Sequence, residues 1–111
     1  MKLAIAKNNE YVHEFFGSCN EFMVVDIENG EVMSKEIIFN DTDTHKLRPF
    51  YLKSIGVNAL VIKGLGLTAY ELLHENGIEL YTCDPILLDE ALALFLKNEL
   101  KRMEIPGGAH C

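Results

Sequence analysis

The sequence has little of what several classes of protein need. Only three of its 111 residues are cysteine, Cys19, Cys83 and Cys111, and an odd, widely spaced set does not make a disulfide framework. No apolar run approaches the roughly 20 residues that span a bilayer. No charged, apolar and small-residue cleavage pattern begins the chain. We therefore expect a reduced, cytoplasmic protein that does not enter a membrane.

Positive charge is also scarce. Ten basic side chains against seventeen acidic ones give a formal net charge of −7, which repels phosphate backbones and anionic membrane surfaces. We therefore expect no nucleic-acid partner. A small anionic ligand remains compatible with this charge, because capture of a small anion depends on local hydrogen-bond donors.

The chain has the length of one domain, and 49% of its residues are hydrophobic, which is enough for one continuous core. It has no internal repeat and no low-complexity block. We predict a single domain over residues 1–103. Residues 104–111, which contain Pro106 and paired glycines, are predicted to form a flexible tail.

Hydrophobic patterns predict five strands and three helices. Short apolar runs are typical of buried strands, and the Asn29-Gly30 dipeptide favours a type I′ turn between two β-rich segments. Thr68 and Glu71 have capping-box spacing in the second helix, and Asp84 before Pro85 favours the start of the third. The predicted strands are 2–6, 21–28, 31–39, 58–62 and 78–81, and the predicted helices are about 45–55, a segment between Gly66 and Asn76, and 84–101.

This order of elements predicts an α/β fold. Right-handed crossovers make the first, fourth and fifth strands parallel, whereas the hairpin forces the second strand to run against the third. If the hairpin extends the sheet from the first strand, the third strand runs parallel to the first. The prediction is a ribonuclease H-like three-layer α/β/α domain with a five-stranded mixed sheet.

The carboxyl ends of four strands meet at one edge in this topology, where ligands bind in open α/β sheets. The turn Lys63-Gly64-Leu65-Gly66 lies there, before a helix whose first amides have no backbone partner. Such a turn can bind an anion, or its glycines can serve only a sharp strand-to-helix reversal. The turn matches neither a P-loop nor a dinucleotide fingerprint.

Thiol and imidazole groups at the same edge are candidate metal ligands. Cys19 and His13 belong to one loop, His45 to another, and Cys83 to a third. No closely spaced Cys or His pair supports a preformed four-ligand site, so we favour a single-ligand role for Cys19 toward a cluster supplied from outside. The alternative is that Cys19 is a small buried hydrophobe and the histidines are solvated.

Two enzyme classes find no support in the sequence. A ribonuclease H-like nuclease needs carboxylates on its first strand to hold divalent metals, and residues 2–6 offer none. A Cys-His hydrolase needs a base oriented by a third group, and no recognisable spacing supplies one. We predict a binding domain that is not an enzyme.

Several segments, in order, resemble the dinitrogenase iron-molybdenum cofactor biosynthesis family. The resemblance covers almost the whole chain and rests on the opening Met1-Lys2-Leu3-Ala4-Ile5-Ala6, Phe15-Phe16-Gly17-Ser18-Cys19 with Phe22, Gly56-Val57, Gly64-Leu65-Gly66 with Ala69, Gly77-Ile78-Glu79, and Asp89-Glu90-Ala91 through Leu96-Lys97. It implies a ribonuclease H-like domain that binds iron-molybdenum cofactor or an iron-sulfur precursor and carries it between metal-cluster assembly proteins.

The family's Phe-Gly-x-Cys segment falls on Phe16, Gly17 and Cys19, and its glycine turn falls on Gly64 and Gly66. In three places the chain departs from the family pattern: Phe15 replaces a histidine, Lys63 replaces the first glycine of the turn, and a histidine-rich stretch is reduced to His45. Lys63 is expected to compensate for these departures by supplying positive charge to an anionic cluster.

Two hypotheses follow. The first is a small carrier or chaperone domain for an iron-molybdenum or iron-sulfur cofactor, with Cys19, Gly17, Lys63, Gly64 and Gly66 as cofactor-binding residues. Cys19, His13 and His45 are its candidate metal ligands. The second is a regulatory or protein-interaction domain that binds a small anion or a partner peptide at the same edge without metal.

Overall fold

A computed structural model describes residues 1–39 and 48–103. These residues contain three α-helices and the strands of a mixed sheet, which confirms the predicted α/β class. In chain order the elements are β1 (Lys2–Asn8), β2 (Tyr11–Val12), a 3-10 turn (Phe16–Ser18), β3 (Glu21–Glu28), β4 (Glu31–Phe39), α1 (Arg48–Ser54), β5 (Ala59–Val61), α2 (Leu67–Glu75), β6 (Glu79–Thr82), α3 (Leu88–Leu96) and β7 (Lys101–Arg102).

The strands form one mixed sheet with the order β4-β3-β1-β5-β6-β7, and β2 pairs with β1. β1, β5 and β6 are parallel, and β3 runs against both β1 and β4, as predicted. The described sheet has seven strands and not five. The two additional strands, β2 and β7, have only two residues each, which is too short for a periodic pattern to show them.

Helices cover both faces of this sheet. Leu52 of α1 and Leu73 of α2 pack on one face, against β-strand residues such as Leu60. Leu92 of α3 packs on the other face, against residues such as Ile5. The three-layer arrangement is therefore confirmed, and it leaves the strand ends as the place where loops gather. None of the helices in the described segments is long and apolar enough to cross a membrane.

The β3–β4 hairpin has the predicted bounds, because its turn chemistry is unambiguous. Asn29 and Gly30 have φ angles of 53° and 78°, the left-handed conformation that a type I′ turn needs at both central residues. Asparagine and glycine tolerate that conformation better than other residues. The hairpin places β4 at one edge of the sheet.

The start of the second helix differs from its prediction, whereas the predicted start of the first lies outside the described residues. α1 is described from Arg48, and the predicted start near His45 lies outside the described residues. α2 begins at Leu67 with Gly66 as its N-cap, and no side chain caps it. The predicted capping box is therefore wrong: Thr68 lies inside the first helical turn, where it is too late in the chain to act as the cap.

The third helix is shorter than predicted. It spans Leu88–Leu96 and does not begin at Asp84, because the segment before it is extended alongside β2. The Ile86 carbonyl accepts a hydrogen bond from the Val12 amide at 2.9 Å, and that pairing competes with helix formation. After the helix, Asn98 takes a left-handed conformation, and the next residues turn back as β7 beside β6.

Candidate functional site

Hydrogen bonds join the loops that follow β1, β5 and β6. The Lys63 amide donates to the His13 carbonyl at 3.2 Å, and the Phe16 amide donates to the Gly64 carbonyl at 3.0 Å. The Thr82 hydroxyl donates to the Lys63 carbonyl at 2.8 Å. The predicted meeting of these loops at one edge of the sheet is therefore present.

A cleft of about 440 Å³ lies between the 3-10 turn and the start of α2. Gly17 and Gly66, two predicted site residues, both line it. Phe15 and Leu67 also line it, and 54% and 38% of their surface is exposed. The cleft is completed by Ser18, Thr68 and Ala69. It is therefore a mixed surface, with apolar side chains beside backbone and hydroxyl groups.

The first amides of α2 face this end of the fold without a capping side chain. The helix has nine residues, and its first backbone hydrogen bond runs from the Tyr70 amide to the Gly66 carbonyl at 3.0 Å. Its earlier amides, on Leu67, Thr68 and Ala69, precede that bond and have no helical carbonyl to reach. They give the helix start a partial positive charge that favours an anion.

The three glycines at this edge have different reasons to be glycine. A Cβ at Gly64 would lie 3.4 Å from the Glu14 carbonyl oxygen, at the edge of ordinary van der Waals contact between the two loops. A Cβ at Gly17 would lie 2.8 Å from the Phe15 ring. A Cβ at Gly66 would meet nothing within 4 Å. A side chain at Gly17 would displace the exposed Phe15 ring, one at Gly64 would just touch the neighbouring loop, and Gly66 leaves the cleft open.

Lys63 offers an available positive charge at the start of the glycine turn that leads to the cleft. Its Nζ lies 3.2 Å from Asp84 Oδ1, and both side chains are substantially exposed. An exposed ion pair of this kind contributes only about 0–1 kcal/mol. The ammonium group can therefore leave Asp84 for another anion at little cost.

His13 is prepared to donate a hydrogen bond and is not arranged as a metal ligand. Its Nδ1 accepts a hydrogen bond from the Phe15 amide at 3.0 Å, so a neutral ring carries its proton on Nε2. Burial lowers the pKa of His13, Glu14 raises it, and the Arg48 charge lowers it again, with burial the largest effect. To bind a metal through Nε2, the ring would have to move that proton to Nδ1 and lose the Phe15 bond.

Cys19 faces the core. Its side chain has no exposed surface and packs in the cluster that contains Phe16 and Phe22. Its thiol donates to the Glu21 carbonyl at 3.1 Å, and burial raises the pKa of Cys19 to about 11. The predicted ligand role for Cys19 therefore requires the 3-10 turn to move before the thiol reaches the cleft.

The described residues form no cluster of metal ligands around Cys19. Cys83 is a half-buried free thiol whose pKa is raised, first by burial and then by Asp84. His45 lies outside the described residues. Among residues 1–39 and 48–103, no group of three or more His, Cys, Asp and Glu side chains is arranged to hold a metal ion.

Sequence reasoning missed Arg48, which is 4% exposed. Its Nε donates to the Cys19 carbonyl, and its Nη2 donates to Asn20 Oδ1 at 2.6 Å. Its Nη1 is buried and has no hydrogen-bond partner within the described part of the chain. Arg48 is one of two arginines in the sequence and precedes Pro49 at a helix start, but no pattern in the sequence shows that it is buried.

Comparison with known proteins gives a consistent result. The model of the dinitrogenase iron-molybdenum cofactor family matches residues 1–98. The uncharacterized protein MJ0580 of Methanocaldococcus jannaschii is 34% identical over 94% of this chain and 92% of its own length. The crystal structure of PH0822 is similar, with a TM-score of 0.85 and 26% identity, and covers 92% of this chain and 94% of that one.

MJ0327 of M. jannaschii, provisionally named a dinitrogenase, has a crystal structure with a TM-score of 0.81 and 29% identity, and the match covers 96% of this chain and 97% of that one. These likenesses extend over nearly the whole domain and agree with the observed sheet order. The chain belongs to the dinitrogenase iron-molybdenum cofactor family.

Proposed function

We propose that this chain is a small carrier or chaperone domain that binds an iron-molybdenum or iron-sulfur type cofactor as cargo. The observation that carries the proposal is the uncapped start of α2, which opens on the same cleft as Gly17. Family membership supports the choice of cargo. Binding and release, without a chemical step, are the activities that this arrangement supports.

The donors around the cleft suit an anion. Backbone amides at helix starts and in turns form concavities that hold phosphates and iron-sulfur clusters. Leu67, Thr68 and Ala69 supply such amides, Lys63 adds a mobile positive charge, and His13 adds an Nε2–H group. Hydrogen bonds of this kind to cluster sulfurs stabilise the more negative state of a cluster.

Direct ligation needs a thiolate or an imidazole, and we propose Cys19 for it, with His45 and, once its proton has moved from Nε2 to Nδ1, His13 as further ligands. Cys19 lies two residues after Gly17, so a local opening of the 3-10 turn would carry its thiol toward the cleft. A carrier has to release its cargo, and a single covalent ligand with several hydrogen bonds suits release better than a closed four-cysteine site.

A second candidate function follows from the apolar lining of the cleft. Phe15 and Leu67 are exposed on its two sides, and exposed apolar groups around a polar centre are typical of peptide-binding surfaces. The chain would then be a regulatory or protein-interaction domain that binds a small anion or a partner peptide without metal.

Anaerobic reconstitution with iron and sulfide tests the first proposal. Wild-type protein is expected to develop the visible absorption of a bound cluster, and Cys19→Ala is expected to lose most of it. Cys83→Ala is the matched control and should load normally. Equal, negligible uptake by all three proteins would overturn the carrier function. Thermal-shift assays with molybdate and phosphate then test the second candidate.

We also propose the setting in which this function operates. Free Cys19 and Cys83 thiols suit a reducing cytoplasm, and the cargo implies metal-cluster assembly proteins as partners. The ribonuclease H-like class remains our proposal for the fold. Pull-down of tagged protein from an anaerobic lysate, with and without loaded cluster, tests the partners, and cluster-independent capture of the same proteins would contradict a cargo-delivery role.

A further inference from the structure

The segment that carries Cys19 is tied to α1 by one buried side chain. Arg48 reaches from the start of that helix and binds two consecutive residues, the Cys19 carbonyl through Nε and the Asn20 side chain through Nη2. The 3-10 turn that lines the cleft ends immediately before them, at Ser18. One guanidinium group therefore fixes the exit of the turn in two places.

We propose that Arg48 is the positioning residue that keeps the Cys19 thiol turned into the core, and that release of its two hydrogen bonds is the step that exposes the thiol. This inference rests on the proposed function, because it explains how a buried thiol becomes available to an incoming cluster. It assigns Arg48 no direct contact with the cargo.

We call the two hydrogen bonds from Arg48 to Cys19 and Asn20 the latch. Not every nitrogen of the Arg48 guanidinium group takes part in it. Two of its nitrogens hold the loop, while Nη1 is buried without a partner in the described residues. Among the described residues, the bonds through Nε and Nη2 are therefore the ones that form the latch.

The Cys19 thiol is held in the core by weak hydrogen bonds and by packing. The thiol donates to the Glu21 carbonyl at 3.1 Å and is also within hydrogen-bonding reach of the Lys7 backbone, and hydrogen bonds of a thiol are weak. Packing against Phe16 and Phe22 supplies the rest. The Cys19 amide is held within the turn by the Phe16 carbonyl at 3.1 Å, and the Arg48 bonds are the ones that tie the Cys19 carbonyl and the Asn20 side chain to α1.

Iodoacetamide labelling of the full chain, scored at each cysteine by peptide mass spectrometry, tests the latch. Cys19 in wild-type protein should label far more slowly than half-buried Cys83. Asn20→Ala removes one Arg48 bond from an exposed position and should leave the fold intact. Because hydrogen bonds to charged groups are worth about 1.5–3 kcal/mol, Cys19 labelling should then rise about tenfold or more, with Cys83 unchanged.

Further variants separate a local latch from general loosening. Asn20→Asp keeps an acceptor and adds an opposite charge, so it should label Cys19 no faster than wild type. Arg48→Lys keeps the charge but not the two-point geometry, and should label Cys19 faster. Leu52→Ala lowers global stability from a core position on the same helix without touching either bond. When Leu52→Ala is compared with the other variants under conditions that give equal free energies of unfolding, its labelling should increase to the same degree at Cys19 and at Cys83.

Equal Cys19 labelling in wild type, Asn20→Ala and Arg48→Lys would overturn the latch. So would parallel increases at Cys19 and Cys83. Reconstitution with iron and sulfide keeps the two proposals apart. If wild type takes up no cluster, the carrier function fails while labelling still decides the role of Arg48. If wild type and Asn20→Ala load at the same initial rate while their labelling differs, the latch exists but does not limit loading, and its proposed role fails.

Discussion

The Phe16 amide and the Gly64 carbonyl lie 3.0 Å apart, and their hydrogen bond joins the loop after β1 to the glycine turn after β5. The same contact is a short parallel bridge between Phe15 and Gly64. Because the 3-10 turn and the start of α2 follow directly from these two loops, this bond sets the width of the cleft between them. Changes at the two nearby glycines should therefore have separable effects on stability and on binding.

Alanine substitution distinguishes the two glycines of the turn. Gly64→Ala places a Cβ 3.4 Å from the Glu14 carbonyl oxygen, at the edge of ordinary contact with a backbone atom, so we expect a loss of no more than about 1 kcal/mol in the free energy of unfolding. Gly66→Ala meets open space, and we expect a change within about 0.5 kcal/mol, because the reduced entropy of the unfolded chain is offset by the poor fit of alanine to an N-cap position. Urea unfolding of both variants measures the difference. Equal destabilisation would contradict the assignment of Gly64 to the contact between the loops and Gly66 to the open cleft.

A capping side chain at position 66 should stabilise the protein and weaken its binding of anions. Gly66→Asp places a carboxylate where it can accept the free amides of α2, so unfolding free energy should rise by about 0.3–1 kcal/mol. Binding of molybdate, measured by calorimetry, should weaken at least tenfold, because the amides are occupied and the site gains negative charge.

Two matched variants identify the cause of that loss. Gly66→Asn also caps the helix but adds no charge, so its molybdate affinity should fall between those of Gly66→Asp and wild type. Gly66→Ala adds neither cap nor charge and should keep wild-type affinity. If wild type itself does not bind molybdate, or if all three variants bind it like wild type, the anion site at the start of α2 is wrong.

The sequence predicts the backbone of this protein better than its side chains. Apolar runs indicate the buried strands, and local conformational preference alone makes Asn29-Gly30 form its turn. The strand order could therefore be inferred from the sequence. Local preference predicts too early a start for the third helix, because Asp84 and Pro85 are good helix starters. Their neighbours are instead held extended by β2, a contact distant in sequence.

In the candidate site too, the sequence predicts the backbone arrangement better than the side-chain positions. The meeting of Gly17 with Gly66 follows from topology, and topology could be predicted. Whether the Cys19 thiol faces the cleft or the core depends on how Phe16, Phe22 and Arg48 pack around it, and no periodicity encodes that choice. A cysteine between a glycine turn and a strand is equally consistent with a ligand and with a core residue.

Lys63 and Asp84 should affect anion binding in opposite directions. Lys63→Gln removes a positive charge at the start of the glycine turn and should weaken molybdate binding about two- to fivefold at low salt, whereas Asp84→Asn frees the ammonium group and should strengthen it to a similar degree. Raising the ionic strength should shrink both effects, since exposed charges are screened. Stability should change by less than about 0.5 kcal/mol in either variant. Matching affinities across wild type and both variants would remove Lys63 from the site.

The buried thiol makes stability fall in alkaline solution. Burial raises the pKa of Cys19 from 9.0 to about 11, so the folded chain keeps the thiol proton that the unfolded chain releases. Cys19 therefore contributes its full stabilisation below pH 9, and that contribution is lost as pH rises toward 11. We expect a loss of about 1–3 kcal/mol over this range from Cys19 alone.

Cys19→Ser isolates this effect, because a serine hydroxyl fits the same space, can donate to the Glu21 carbonyl and does not titrate in this range. Its free energy of unfolding should start below that of wild type at pH 8 and decline less steeply between pH 9 and pH 11. Cys83→Ser is the matched control: its thiol is only half-buried, so its removal should flatten the decline less. Parallel curves for wild type and Cys19→Ser would mean that the thiol is already exposed in the native protein, and a ligand role for Cys19 would then need no opening of the loop.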